Sequence, residues 1–183
     1  KDRRQRQMCI RDRALTKLNF GGSGQGSIAT QVSSSLPNGS VVQVVGTTND
    51  TDVSRVGNGT MTDSISQVIT PSSASNKIVV IGNHHYTCYA QTYNQMKIRL
   101  IRTVSGSDTS LLGENYAFAM HGSGSYYPYD LGGYPMNILD DPQTTSQITY
   151  HIQFAQHGAS GYNYHLHANH LGTSSLILME IKA

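Results

Sequence analysis

Apolar and polar positions alternate along much of the chain beyond Val41. Ile148, Tyr150, Ile152 and Phe154 alternate with Thr149, His151 and Gln153, the period-two pattern of a strand with one buried face. Met96, Ile98 and Leu100 alternate with Lys97 and Arg99. Tyr116, Phe118 and Met120 alternate with alanines, and Tyr162, Tyr164 and Leu166 with Asn163, His165 and His167. Val41, Val42, Val44 and Val45 open the series, and residues 60–70 form a second strand closed by Pro71. The runs KIVVI (residues 77–81) and LILMEI (residues 176–181) are almost continuously apolar, which predicts strands covered on both faces. No segment carries a helical period with caps. The prediction is an all-β fold, an antiparallel β-sandwich or barrel of eight or so short strands joined by Gly, Pro, Asn and Ser turns.

Composition narrows the class. The 183 residues are about one domain's worth, and 13% are charged, roughly half the usual share. There are 11 Tyr, 18 Gly and no Trp. A coiled coil needs charged helix formers in quantity, and no apolar run approaches the ~20 residues of a membrane-spanning helix. The reading is therefore of a chain without membrane insertion.

The net charge of +2 is unevenly placed. Residues 1–13 hold six basic groups and two acids; the rest of the chain holds seven and nine. Residues 3–12, RRQRQMCIRD, resemble the in-frame translation of a transposon adapter used in shotgun DNA sequencing. Residues 1–13 are accordingly expected to be a non-native scar. Residues 14–38 are expected to be a flexible linker, with GGSGQG at residues 21–26 and SSSLPNGS at residues 33–40. The domain is expected at residues 39–183, as a piece of a longer protein. With the basic cluster set aside, no nucleic-acid partner is expected. Cys9 falls in the scar, so Cys88 stands alone and no disulfide framework forms within one chain. Asn38, Asn49 and Asn58 open Asn-x-Ser/Thr sequons, which matter only in a secretory pathway.

Five stretches carry a resemblance: VVQVVGTT (residues 41–48), ITPSSASNKIVV (69–80), KIRLIRT (97–103), LDDPQTTSQITYHIQ (139–153) and SSLILMEIK (174–182). In this order they are similar to C-terminal domains of tail-fibre-like proteins of marine bacteriophages. The strand order also resembles the jelly roll of the complement globular head and the tumour necrosis factor family. The resemblance implies a homotrimeric jelly roll at a virion fibre tip, adhering to a bacterial surface glycan or protein. The alternatives are a non-adhesive virion structural protein, as in capsid decoration or a baseplate, and a secreted sugar-binding domain.

The candidate receptor-binding residues are His121, Tyr126, Tyr127, Tyr129 and Tyr134, in the Gly- and Ser-rich segment HGSGSYYPYDLGGYP. Tyrosines give large amphipathic contact area at low entropy cost while Gly and Ser let a loop adapt. The competing reading is a loop packed on itself or in a subunit interface. His165 and His167 share one strand face. Alone they are an incomplete metal site; three copies about a three-fold axis would supply six imidazoles to a transition metal. Otherwise no cofactor is expected. His84 and His85 are adjacent and point to opposite faces, so one is expected in the core. Asp140 and Asp141 precede Pro142 and read as turn formers, without the fixed separation of a glycosidase pair. Arg99 and Arg102 are expected to pair with acids across the sheet. No nucleophile elbow, phosphate loop or metalloprotease helix is present. The reading is of a non-enzyme, with a fibre depolymerase left open.

Overall fold

Ten strand segments follow one another: β1 (Val41–Asn49), β2 (Val53–Arg55), β3 (Thr62–Ile69), β4 (Lys77–Tyr89), β5 (Asn94–Val104), β6 (Ser107–Met120), β7 (Tyr129–Asp140), β8 (Ile148–His157), β9 (His165–Ala168) and β10 (Ser174–Ile181). The computed structural model describes residues 36–55, 59–89, 94–120, 129–157, 165–168 and 172–183. Residues Ser35–Ala183 form one compact unit.

The segments reduce to eight ribbons. β1 pairs with β10 from Val41↔Ile181 to Asn49↔Ser174, and β2 continues the same course against β9 from Val53↔Ala168 to Arg55↔Leu166. β4 is flanked by β7 on one side and by β10 and then β9 on the other. The first sheet therefore runs β1/β2, β10/β9, β4, β7, and the second runs β3, β8, β5, β6. These pairings are all antiparallel, and four of them nest: first ribbon with last, β3 with β8, β4 with β7, β5 with β6; β4 with β10/β9 and β5 with β8 then join the nested pairs into two sheets. A long hairpin rolled on itself gives this order, which is the jelly roll. The innermost turn is Ser105-Gly106, with φ of 50° and 81° at the two residues between Val104 and Ser107. Two positive φ angles make the turn whose twist matches the flanking strands, and the second is cheapest for glycine.

The core fills the space between the sheets. Ile148, Tyr150, Ile152 and Phe154 of β8 face Ile78 and Val80 of β4 and Leu176 and Leu178 of β10, all at 0% exposure. Burying each such aliphatic side chain contributes about 1.5–3 kcal/mol relative to leaving it in water. At Gly82 the sheets approach so closely that an added Cβ would lie 2.8 Å from Ile152 Cδ1.

Two expectations are corrected. KIVVI and LILMEI are covered on the inner face alone: Ile81 and Ile177 are each 38% exposed. Their outer sheet face has no further layer of this chain over it among the described residues. Asp140 is also no turn residue. It ends β7, is buried, and accepts from Arg102 Nη1 at 2.7 and 2.9 Å and from the Tyr150 hydroxyl at 2.7 Å. Arg102 thus reaches an acid of the opposite sheet, while Arg99 bonds its neighbour Gln153.

Candidate functional site

His121, Tyr126 and Tyr127 lie outside the described residues. Tyr129, His165 and His167 are placed by backbone alone, at the start of β7 and on β9. Tyr134 sits opposite His84 in the β4–β7 register, half-buried and packed against the core. Among the described residues no three His, Cys, Asp or Glu side chains converge as a metal site would require.

The described residues do form a polar groove where the two sheets meet. β1 and β3 are the edge strands of their sheets on this side. Residues 47–49 of β1 and 63–66 of β3 line a cleft of about 320 Å³. Its shape comes from a β-bulge: the β3–β8 register shifts between Asp63 and Ile65, leaving Ser64 as the extra residue. The bulge turns Ser64 inward, to 2% exposure, and leaves Asp63 outward at 49%. Asn49 holds the bulge in place, because its Nδ2 donates to the Ser64 carbonyl at 2.7 Å. Its Oδ1 accepts from Thr51 N at 3.0 Å, so this sequon asparagine is a turn and bridging device.

Asp63 is oriented from outside the groove. Arg99, Gln153 and Asp63 are register partners in one row across β5, β8 and β3. Arg99 Nε donates to Gln153 Oε1 at 2.8 Å, and Gln153 Nε2 donates to Asp63 Oδ1 at 2.7 Å. His151 Nδ1 lies 3.1 Å from Asp63 Oδ2. Each carboxylate oxygen has two acceptor sites, so one hydrogen bond apiece fixes the group without saturating it.

Beneath the groove, Ser64 Oγ lies 2.9 Å from His84 Nδ1 and 3.2 Å from the Ile152 carbonyl oxygen. A hydroxyl has one proton and a carbonyl only accepts. The Ser64 proton therefore goes to Ile152 O, and His84 Nδ1–H donates to Ser64 Oγ. Among the described residues His84 Nε2 has no partner and is left as a buried lone pair, its ring 5.2 Å from that of Phe154. Burial foremost, and the neighbouring His85 second, push the His84 pKa down to about 3. With the Ser64 proton on Ile152 O and Nδ1 carrying its own proton, the pair lacks the arrangement in which a ring nitrogen takes up a serine proton. His84 is the inward member of its pair, as the alternation predicts.

The sequence reading missed Asp63, Ser64 and the bulge. A short run of polar residues before an apolar one was the available signal, and it fits any edge strand equally well.

No protein-family model and no curated protein matches the chain. Among solved structures, VP2 of infectious bursal disease virus in its subviral particle aligns with a TM-score of 0.43 at 12% identity, covering 76% of this chain and 32% of that one. The Gx strain of the same virus aligns at 0.38 and 10% identity, covering 77% and 34%. Derived T=1 particles of that virus align at 0.36 and 13%, covering 77% and 36%. The chain spans about a third of the length of these proteins. They are viral capsid proteins with a β-sandwich, and at this similarity they assign no partner or ligand to this chain.

Proposed function

We propose that this chain is a non-enzymatic virion component, the distal domain of a tail fibre, which self-associates as a homotrimer and attaches to a bacterial surface. The observation that carries the assembly is the outer face of the first sheet. Val44, Met179, Val79 and Leu139 are register partners in one row across β1, β10, β4 and β7. Ile177 and Ile81 adjoin in the next row. Val44 is 56% and Leu139 58% exposed. A solvated antiparallel sheet shows polar residues on its outer face. Here that face carries a contiguous row of exposed apolar side chains instead, the kind of patch that often serves an interaction.

A second copy is the fitting occupant. The patch is rimmed by the polar residues Ser175 and Asn137. Lys77 at one end is the charged side chain among the described outward positions of these strands, so a charged partner finds little to pair with. About a three-fold axis this face would meet a different surface of the neighbouring copy, and the ring closes after three copies. Attachment then gains from several weak contacts held on one particle.

Light scattering on the full chain is expected to give three times the 19.9 kDa chain mass, and Leu139→Glu with Val44→Glu to give a monomer of unchanged circular dichroism. A wild-type monomer at micromolar concentration overturns the assembly. Labelled protein is expected to be retained on bacterial cells and displaced by unlabelled protein; no retention across a broad panel overturns the attachment.

A further inference from the structure

We infer that the groove between β1 and β3 is a carbohydrate site, which takes a sugar ring with adjacent hydroxyls on Asp63. The inference deepens the attachment reading by naming a ligand class and a place for it; its chemistry stands on the groove alone.

Three observations carry it. The groove is lined by Thr47, Thr48, Ser66 and Asp63, residues whose side chains carry the hydroxyl and carboxylate groups that polyols require. Its volume of about 320 Å³ lies at the small end for ligand pockets, the size of one or two sugar rings. Asp63 is held by Gln153 on one oxygen and by His151 on the other. Its remaining acceptor positions are oriented before any ligand arrives, and two neighbouring hydroxyls on a ring match the two oxygens of a carboxylate.

Other occupants fit less well. An added β-strand would need the edge carbonyls between the sheets. Gln43 Nε2 already takes Thr70 O at 2.8 Å and Asn49 Nδ2 takes Ser64 O at 2.7 Å, so side chains bridge the two edges where a peptide would dock. An anion would meet Asp63. Among the described residues no aromatic side chain lines the groove, so a sugar gains no stacking from them and binding at one site is weak, about millimolar. Three copies on a fibre suit such affinity.

The test uses the full chain on an array of bacterial glycans, with saturation-transfer NMR against free methyl hexosides at tens of millimolar. Asp63→Ala removes the carboxylate, and Thr48→Trp fills the groove from an exposed position. Wild-type binding that falls at least about tenfold in both variants, at unchanged circular dichroism and mass, is the expected result. Glycan binding that both variants retain overturns the groove and leaves attachment standing. No signal from any glycan or hexoside also overturns the groove, and retention on cells then reports whether attachment proceeds through another surface. If Asp63→Ala perturbs the bulge, Thr48→Trp alone decides, with Ser66→Trp as its replicate.

Discussion

Asn76 Nδ2 donates to Glu180 Oε1 at 2.7 Å, joining positions 104 apart in the chain. Ser72 adds its backbone N–H at 2.7 Å and its hydroxyl at 2.8 Å to the same oxygen, and Gln43 Nε2 reaches Oε2 at 2.6 Å. Glu180 is wholly buried, and these four donors are all neutral. The turn between β3 and β4 is thereby pinned to the last strand, and the Thr-Pro-Ser-Ser and LMEI motifs meet at one carboxylate.

Replacing Glu180 should therefore destabilise the domain out of proportion to the change in shape. Glu180→Gln exchanges one acceptor oxygen for a second donor facing donors. The expected cost is about 2 kcal/mol, since hydrogen bonds to charged groups are worth roughly 1.5–3 kcal/mol each and a buried mismatch adds to that. The urea midpoint of the variant against wild type measures it.

Stability should fall in acid in two stages. Burial alone would raise the Glu180 pKa, but its hydrogen bonds outweigh that and hold it below the usual 4.5. A carboxylate with a depressed folded pKa contributes stability above its unfolded value and loses it as pH falls through the folded one. His84 acts at higher pH. Its folded pKa of about 3 lies below the ordinary 6.5, so the unfolded chain takes up its proton first and stability drops as pH falls from about 6.5. His84→Phe should remove the slope between pH 6.5 and 4.5, while Glu180→Gln should flatten the slope below 4.5. Urea titrations at stepped pH separate the two; a wild-type stability flat from neutral pH to below 4.5 contradicts both.

The Arg102–Asp140–Tyr150 cluster ties the two sheets at one end of the core. Asp140→Ala should cost about 3 kcal/mol, because Arg102 is then left half-buried without its carboxylate. Tyr150→Phe should cost about 1 kcal/mol, the value of a single buried hydrogen bond. Burial first, and the Asp140 bond second, push the Tyr150 hydroxyl pKa far up, so it stays a donor and the variant's cost should not change between pH 7 and 9. Guanidinium unfolding followed by tyrosine fluorescence tests the ranking.

Gly82→Ala probes the closest approach of the sheets. The new methyl would sit 2.8 Å from Ile152 Cδ1, and Ile152 is fully buried with nowhere to turn. Overpacking of this kind costs about 1–3 kcal/mol. Gly82→Ala with Ile152→Val should recover part of the loss, and the double-mutant cycle read by thermal unfolding shows whether the two positions are coupled.

Much of the strand content was legible because a half-buried strand must alternate. Ile148 to Phe154 and Met96 to Leu100 fall on β8 and β5 as read, with the apolar set inward. The groove was not legible. Asp63, Ser64 and Asn49 are ordinary edge-strand residues in sequence, and they become a site through a bulge and a bridge between strands of different sheets. The Tyr-rich segment, the clearest signal of binding in the sequence, lies mostly outside the described residues.

Local pattern decided that this chain makes strands, where several of them lie and which side chains turn inward, because the pleat repeats every two residues whatever the strand packs against. Which strands are neighbours, which carboxylates find donors, and that KIVVI and LILMEI leave an apolar face open were decided in three dimensions. Those outcomes depend on pairings between distant segments, and a period-two pattern carries no information about which partner it will meet.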